Sequence, residues 1–201
     1  MTLYDRLVKR LRPLVRFLFR VRVTGLAEKL PEGGLIVCTN HSSNFDVIFL
    51  ALALDRPITF MGKESLLKVP IIGRICKGVG MIPLSRSGGD AAKLRLAARE
   101  LKAGQLLLIF PQGKRFRRSP RGTPAHGGAG MLSLLSGAKI LPGAVVTRRY
   151  RVRPFCRVEL NFGEAKTYVS SAESRGDAAR AISEEVFADI CRLAEEAETR
   201  V

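Results

Sequence analysis

The chain has 201 residues, 46% of them hydrophobic and 26% charged, which suits one domain with a real core and excludes a disordered or disulfide-stapled class. Its charge is unusual: 34 Lys and Arg face 18 Asp and Glu, and the formal +16 calls for an anionic partner, whether nucleic acid, anionic lipid or a phosphorylated substrate. The scattered Cys38, Cys76, Cys156 and Cys191 exclude zinc ribbons and CxxC redox pairs, and the charge-interrupted start MTLYDRLVKRL is no secretory signal, so a cytosolic chain with reduced thiols is expected.

From Leu3 to Phe19 the apolar residues Leu3, Leu7, Leu11, Leu14, Val15 and Leu18 recur at the period of one helical face. The other face is basic, with Arg6, Lys9, Arg10, Arg12, Arg16, Arg20 and Arg22 against Asp5 alone. Residues 1–22 therefore read as an amphipathic segment for an anionic membrane surface, with residues 23–201 as the domain behind it. The rival reading packs the apolar face on the core and leaves the basic face in water. Pro13 is expected to kink this helix or to start a second one. No uncharged apolar run approaches the roughly 18 residues of a spanning helix, so membrane contact would be peripheral.

Beyond Gly25, short apolar runs alternate with helical stretches. Strands are expected at 35–39, 58–61, 81–84, 106–110, 140–147 and 157–162, and helices at 46–54, 70–78, 90–103, 127–136 and 177–198. The alternation predicts an α/β fold, a sheet flanked by helices. Pro142 inside a strand ordinarily marks an edge.

Chemistry-bearing residues gather at strand ends, where α/β folds hold ligands. After the first buried strand comes Asn40-His41-Ser42-Ser43-Asn44-Phe45-Asp46, in which Asp46 can fold back to accept the His41 imidazole N–H and leave the other nitrogen as a base. The plain alternative is a helix cap by Asn40, Ser42 or Asn44 beside an incidental His. A second strand ends in Phe110-Pro111-Gln112-Gly113-Lys114-Arg115, and from Lys114 to Arg121 there are five cations and no acid. Such a loop suits phosphate oxygens, unless it is simply solvated. Arg86 follows a third strand, and Pro142 lies in the fourth run. His126 has no carboxylate within five positions and reads as a surface or capping residue.

Four blocks, NHSSNFD, GMIPLSR, FPQGKR and ILPGAVV, resemble in order and placement the four motifs of the glycerolipid acyltransferases related to 1-acylglycerol-3-phosphate acyltransferase. The resemblance implies a mixed sheet between helices, the glycerol-3-phosphate acyltransferase-like αβα domain. By the same resemblance His41 is the general base and Asp46 its orienting carboxylate. Arg86 and Arg115 would hold an acceptor phosphate, with Gln112, Gly113 and Lys114 as third-block substrate contacts. Pro142 would lie near the acyl donor or serve the structure. The implied substrates are acyl-CoA or acyl carrier protein as donor and a lysophosphatidic-acid-like acceptor, with phosphatidic acid as product, at the cytoplasmic face of a membrane. A thioester is already activated, so no metal or other cofactor is implied.

The third block departs from the family's usual FPEGTR: Gln112 replaces an acid and Lys114 a threonine, which makes another lysolipid or a glycerol phosphate the alternative acceptor. A non-catalytic anionic-lipid-binding protein is the non-enzyme alternative. Nucleic acid is not expected: aromatics are 6%, Trp is absent, and no nucleic-acid-binding motif is present.

Overall fold

The computed structural model describes residues 3–54, 56–78, 80–84 and 90–201. Its strands are β1 (Arg20–Thr24), β2 (Leu35–Thr39), β3 (Ile58–Lys63), β4 (Ile82–Leu84), β5 (Leu106–Ile109), β6 (Lys139–Thr147) and β7 (Arg157–Phe162). The helices are α1 (Leu3–Leu18), α2 (Asp46–Ala53), α3 (Pro70–Gly78), α4 (Asp90–Lys102), α5 (Gly128–Ser136) and α6 (Arg175–Glu198). One sheet takes the order β1-β7-β6-β2-β5-β3-β4. It is mixed: β6 and β7 pair antiparallel, and every other pair is parallel.

Each central strand is apolar throughout because helices cover both faces. Within β2, Ile36 and Cys38 point to the layer of α4, α5 and α6, against Ala97, Leu101, Leu132, Ile182 and Ile190. Leu35 and Val37 point the other way, to Phe49 and Leu50 of α2 and Val15 and Phe19 at the end of α1. The period of two in the strand thus distributes one sequence run between two cores. On the first face α5 and α6 approach so closely that a Cβ on Gly130 would sit 2.1 Å from the Ala179 carbonyl oxygen, and the Gly130 N–H donates to Ser183 Oγ at 2.9 Å.

Several expectations change. No strand is expected at RVRVT, yet β1 forms there, and the boundary expected at residue 22 falls inside it. Its alternating Arg and Val become a strand only because β7 supplies the partner edge, with Arg20 opposite Arg157. Pro13 lies within one helix, Leu3–Leu18, and does not start a second. On that helix Val15 is buried, as is Phe19 just beyond its end, whereas Leu14, Phe17 and the basic face are exposed, so α1 is partly core and partly outward-facing. Pro142 sits mid-sheet opposite Cys38, not at an edge; β7 begins pairing with β6 only at Gly143, which relieves the need for a donor on that side. Among the described residues, no helix is long and apolar enough to cross a membrane.

Candidate active site

The site forms where β2 ends between β5 and β6. Asn40 fixes its floor: the buried side-chain amide donates to the Val145 carbonyl at 3.0 Å and accepts the Val145 N–H at 2.7 Å. This pair of bonds extends β2–β6 pairing past the strand and sets where the chain turns. Asn40 is therefore a brace on β6, not the helix cap weighed from the sequence.

One carboxylate oxygen organises the turn that follows. Asp46 is fully buried at the first position of α2, and its Oδ2 accepts the N–H groups of Ser42 (2.7 Å) and Ser43 (2.8 Å) and meets His41 Nδ1 at 2.9 Å. Burying an anion is costly unless several donors surround it, and here they do. An ionised carboxylate only accepts, so Nδ1 carries the proton and Nε2 keeps its lone pair. The His41 side chain remains 16% exposed, enough to be reached from outside.

The third block grips the same histidine. After β5 the ring of Phe110 stacks on the imidazole, with centroids 4.0 Å apart and planes 16° apart. Gln112 Oε1 accepts the His41 N–H at 2.7 Å, and the Phe116 N–H donates to the His41 carbonyl at 2.8 Å. Both backbone groups of His41 are thus held by the basic loop. Gly113 makes the intervening turn at φ +63°, with the exposed His126 ring packed so close that a Cβ would lie 3.1 Å from it.

Structure and sequence reading differ most over Gln112. Expected as a substrate contact, it is 1% exposed, and its Nε2 donates to Thr123 Oγ1 at 2.7 Å while Thr123 donates to the Pro120 carbonyl at 2.6 Å. Its polar atoms are all engaged inside the protein, so it ties the cationic loop to the His41 turn. Lys114 and Arg115 are exposed; the Lys114 ammonium lies 5.1 Å, and the Arg118 guanidinium 5.8 Å, from the Phe116 ring centroid. Of the loop's five cations Arg121 pairs with Glu195 at 3.1 Å, and the other four have no carboxylate partner among the described residues. Pro142 is buried in the sheet, and Arg86 lies outside the described residues. Cys38, three positions before His41, is no competing nucleophile, because burial pushes its thiol far above the usual range.

The structure thus unites His41, Asp46, Gln112, Gly113, Lys114 and Arg115. The sequence missed the functions of Asn40, Phe110, Phe116 and Thr123, which act through strands distant in the chain. Asn40 and Phe110 did carry a signal, since each immediately follows a buried strand.

Residues 20–146 match a family model described as Acyltransferase, and the matched span contains every one of these residues. The chain belongs to the acyltransferase family. It is 32% identical over 126 residues to a 1-acyl-sn-glycerol-3-phosphate acyltransferase of Pseudomonas aeruginosa, covering 61% of this chain and 48% of that protein. It is equally 32% identical, over 133 residues, to a lyso-ornithine lipid O-acyltransferase of the same organism, covering 65% of this chain and 49% of the other. A Bacillus subtilis 1-acyl-sn-glycerol-3-phosphate acyltransferase is 29% identical over 119 residues, or 58% of each chain. The match thus spans about half the length of these curated relatives. In fold, the chain resembles the crystal structure of the 1-acyl-sn-glycerophosphate acyltransferase PlsC from Thermotoga maritima, with a TM-score of 0.66, 20% identity, and coverage of 94% of this chain and 78% of that one.

Proposed function

We propose that this protein transfers a fatty acyl group from a thioester, acyl-CoA or acyl carrier protein, to the free hydroxyl of 1-acylglycerol 3-phosphate, giving phosphatidic acid. The observation that carries the reading is the His41–Asp46 pair, its turn held by backbone N–H groups and bonded to a cationic loop. His41 Nε2 takes the acceptor hydroxyl proton as the oxygen attacks the thioester carbonyl. The tetrahedral adduct collapses, the C–S bond breaks, and the departing thiolate receives that proton from the imidazolium. Asp46 stabilises the imidazolium while it exists and fixes the ring's orientation. Lys114 and Arg115, with Arg86 by family resemblance, attract and hold the acceptor phosphate, so that the hydroxyl approaches His41 already oriented. No step calls for a metal or redox cofactor.

The chain's surface charge and the half-exposed α1 support peripheral work at the cytoplasmic face of an anionic membrane. A second acceptor class is favoured by one specific observation: the similarity to a lyso-ornithine lipid O-acyltransferase equals that to a lysophosphatidate enzyme. The exposed Lys114, where the family's third block usually has a threonine, points the same way. A labelled acyl-transfer assay decides between them, using lysophosphatidic acid, glycerol 3-phosphate and lyso-ornithine lipid with both donors. Preference for lysophosphatidic acid is expected. Preference for lyso-ornithine lipid would move the protein to the second class, and no transfer with any pair would overturn both acceptor readings.

A further inference from the structure

The loop joining β6 to β7, residues 148–156, takes no part in the proposed chemistry. It carries Arg148, Arg149, Arg151 and Arg153, all exposed, and no acid. With Phe155 and Cys156 these arginines line a concavity of ≈ 430 Å³. Like charges crowded around a hollow repel one another until an anion enters.

The loop's conformation is costly and firmly held. Arg149, Tyr150 and Phe155 adopt left-handed φ values of 55°, 52° and 63°, a region that residues with a Cβ avoid unless their surroundings impose it. Tyr150 is buried, and its hydroxyl donates to Glu198 at 2.5 Å. The Phe155 N–H donates to the Leu18 carbonyl, at the end of α1, at 2.6 Å. The outcome is a Phe155 ring 61% exposed, edge-on to Phe17, itself 73% exposed, with centroids 6.1 Å apart. Leu14, one turn earlier on α1, is 51% exposed. Aromatics displayed in water within a group of arginines meet two demands at once: the rings gain by leaving water, and the guanidinium groups gain phosphate oxygens. A free phosphate would satisfy the arginines and leave both rings in solvent. The interface of an anionic bilayer satisfies both.

Sheet register places this surface beside the site. Thr39, two residues before His41, pairs with Gly143, and β6 then continues to Thr147, so the 148–156 loop leaves from the same edge of the sheet as His41. β7 returns antiparallel, and Arg157 pairs with Arg20 at the start of β1, which brings the end of α1 to that edge too. Phe19 packs at 5.7 Å on Phe45, a 43% exposed residue next to Asp46.

We infer that the 148–156 loop, together with Phe17, is a second docking element that seats the catalytic edge on an anionic phospholipid bilayer. The arginines take lipid phosphates, and Phe17 and Phe155 enter the interface. This extends the membrane-surface reading beyond α1, and its test requires no turnover, so it can fail independently of the proposed reaction.

The chain has no Trp, so Phe155→Trp in the full-length protein installs a single fluorescent reporter. With vesicles of phosphatidylglycerol and phosphatidylcholine its emission is expected to shift to the blue and to be quenched by brominated acyl chains. Inorganic phosphate in solution is expected to produce neither effect. Adding Arg151→Gln and Arg153→Gln is expected to weaken vesicle binding at least ~fivefold, with an unchanged circular dichroism melt. Should Phe155→Trp not fold, Arg151→Gln with Arg153→Gln in the otherwise unaltered protein tests the loop by vesicle sedimentation, with the same loss of binding expected and unchanged binding overturning the inference. Unchanged emission at vesicle concentrations that sediment the protein would overturn the inference, because α1 would then bind alone. An equal response to phosphate without vesicles would overturn it as well.

Discussion

The two ends of the central strands use cations in opposite ways. At the amino-terminal ends, before β2, β3 and β5, the Arg56 guanidinium donates to the carbonyls of Pro31 (2.5 Å), Gly33 (2.7 Å) and Gly104 (2.6 Å), so its capacity is spent on holding three loops together. At the carboxy-terminal ends Lys114, Arg115, Arg117 and Arg118 stand exposed without a carboxylate partner among the described residues, beside a histidine held by Asp46, Gln112, Phe116 and Phe110. One end closes the fold with its charge. The other keeps its charge available beside a firmly held histidine, the arrangement that the proposed reaction asks of a preorganised site open to an anionic acceptor.

Substitutions can separate the two ends. The largest effect is expected for His41→Ala, about a hundredfold or more lower acyl-transfer rate with an unchanged melting curve, since a general base is worth at least that much. Asp46→Asn is expected to lose less than His41→Ala but still severely, because the amide can hold the ring and cannot balance its positive charge. Next, Arg56→Ala is expected to cost ~2 kcal/mol in denaturant unfolding by releasing three carbonyls, while both substrate KM values stay unchanged. Arg115→Ala should do the reverse, with unchanged stability and an acceptor KM raised about tenfold against an unchanged donor KM, as steady-state kinetics would read. If Arg115→Ala altered only the donor KM, the loop would belong to the thioester carrier instead.

The smallest effect belongs to Gln112→Glu. A glutamate would still accept the His41 N–H, and the Thr123 hydroxyl could turn its proton from Pro120 to the second carboxylate oxygen, so the tie survives at modest cost. The acceptor KM should move by less than it does in Arg115→Ala. A larger change would mean that the 112 side chain meets the acceptor directly.

How much was legible in the sequence follows from where each element obtains its stability. β2 and β7 were found at their observed boundaries, because LIVCT is a continuous apolar run and RVELNF sets Val158, Leu160 and Phe162 in strict alternation with polar residues, each a local signal. β1 was not, because RVRVT has no apolar run and becomes a strand only through β7, more than 130 residues away in the chain. Within the site, His41 and Asp46 lie five residues apart, a spacing that allows the pair, and the resemblance of four ordered blocks is what assigned it. Gln112 could not be assigned correctly, since its partners His41 and Thr123 meet only after β2 and β5 align. The Arg-rich 148–156 stretch carried its charge openly, but the pairing of Phe155 with Phe17 depends on the fold.

The most direct test of the central claim is the tautomer of His41. The chain has only two histidines, so a long-range proton–nitrogen correlation spectrum of imidazole-labelled protein contains two ring systems, and His41→Ala assigns them. In the neutral form the account predicts that His41 carries its proton on Nδ1, toward Asp46, and leaves Nε2 as the unprotonated nitrogen facing the acceptor. A proton on Nε2 of the neutral ring would contradict it, because the nitrogen assigned to take the hydroxyl proton would already hold one.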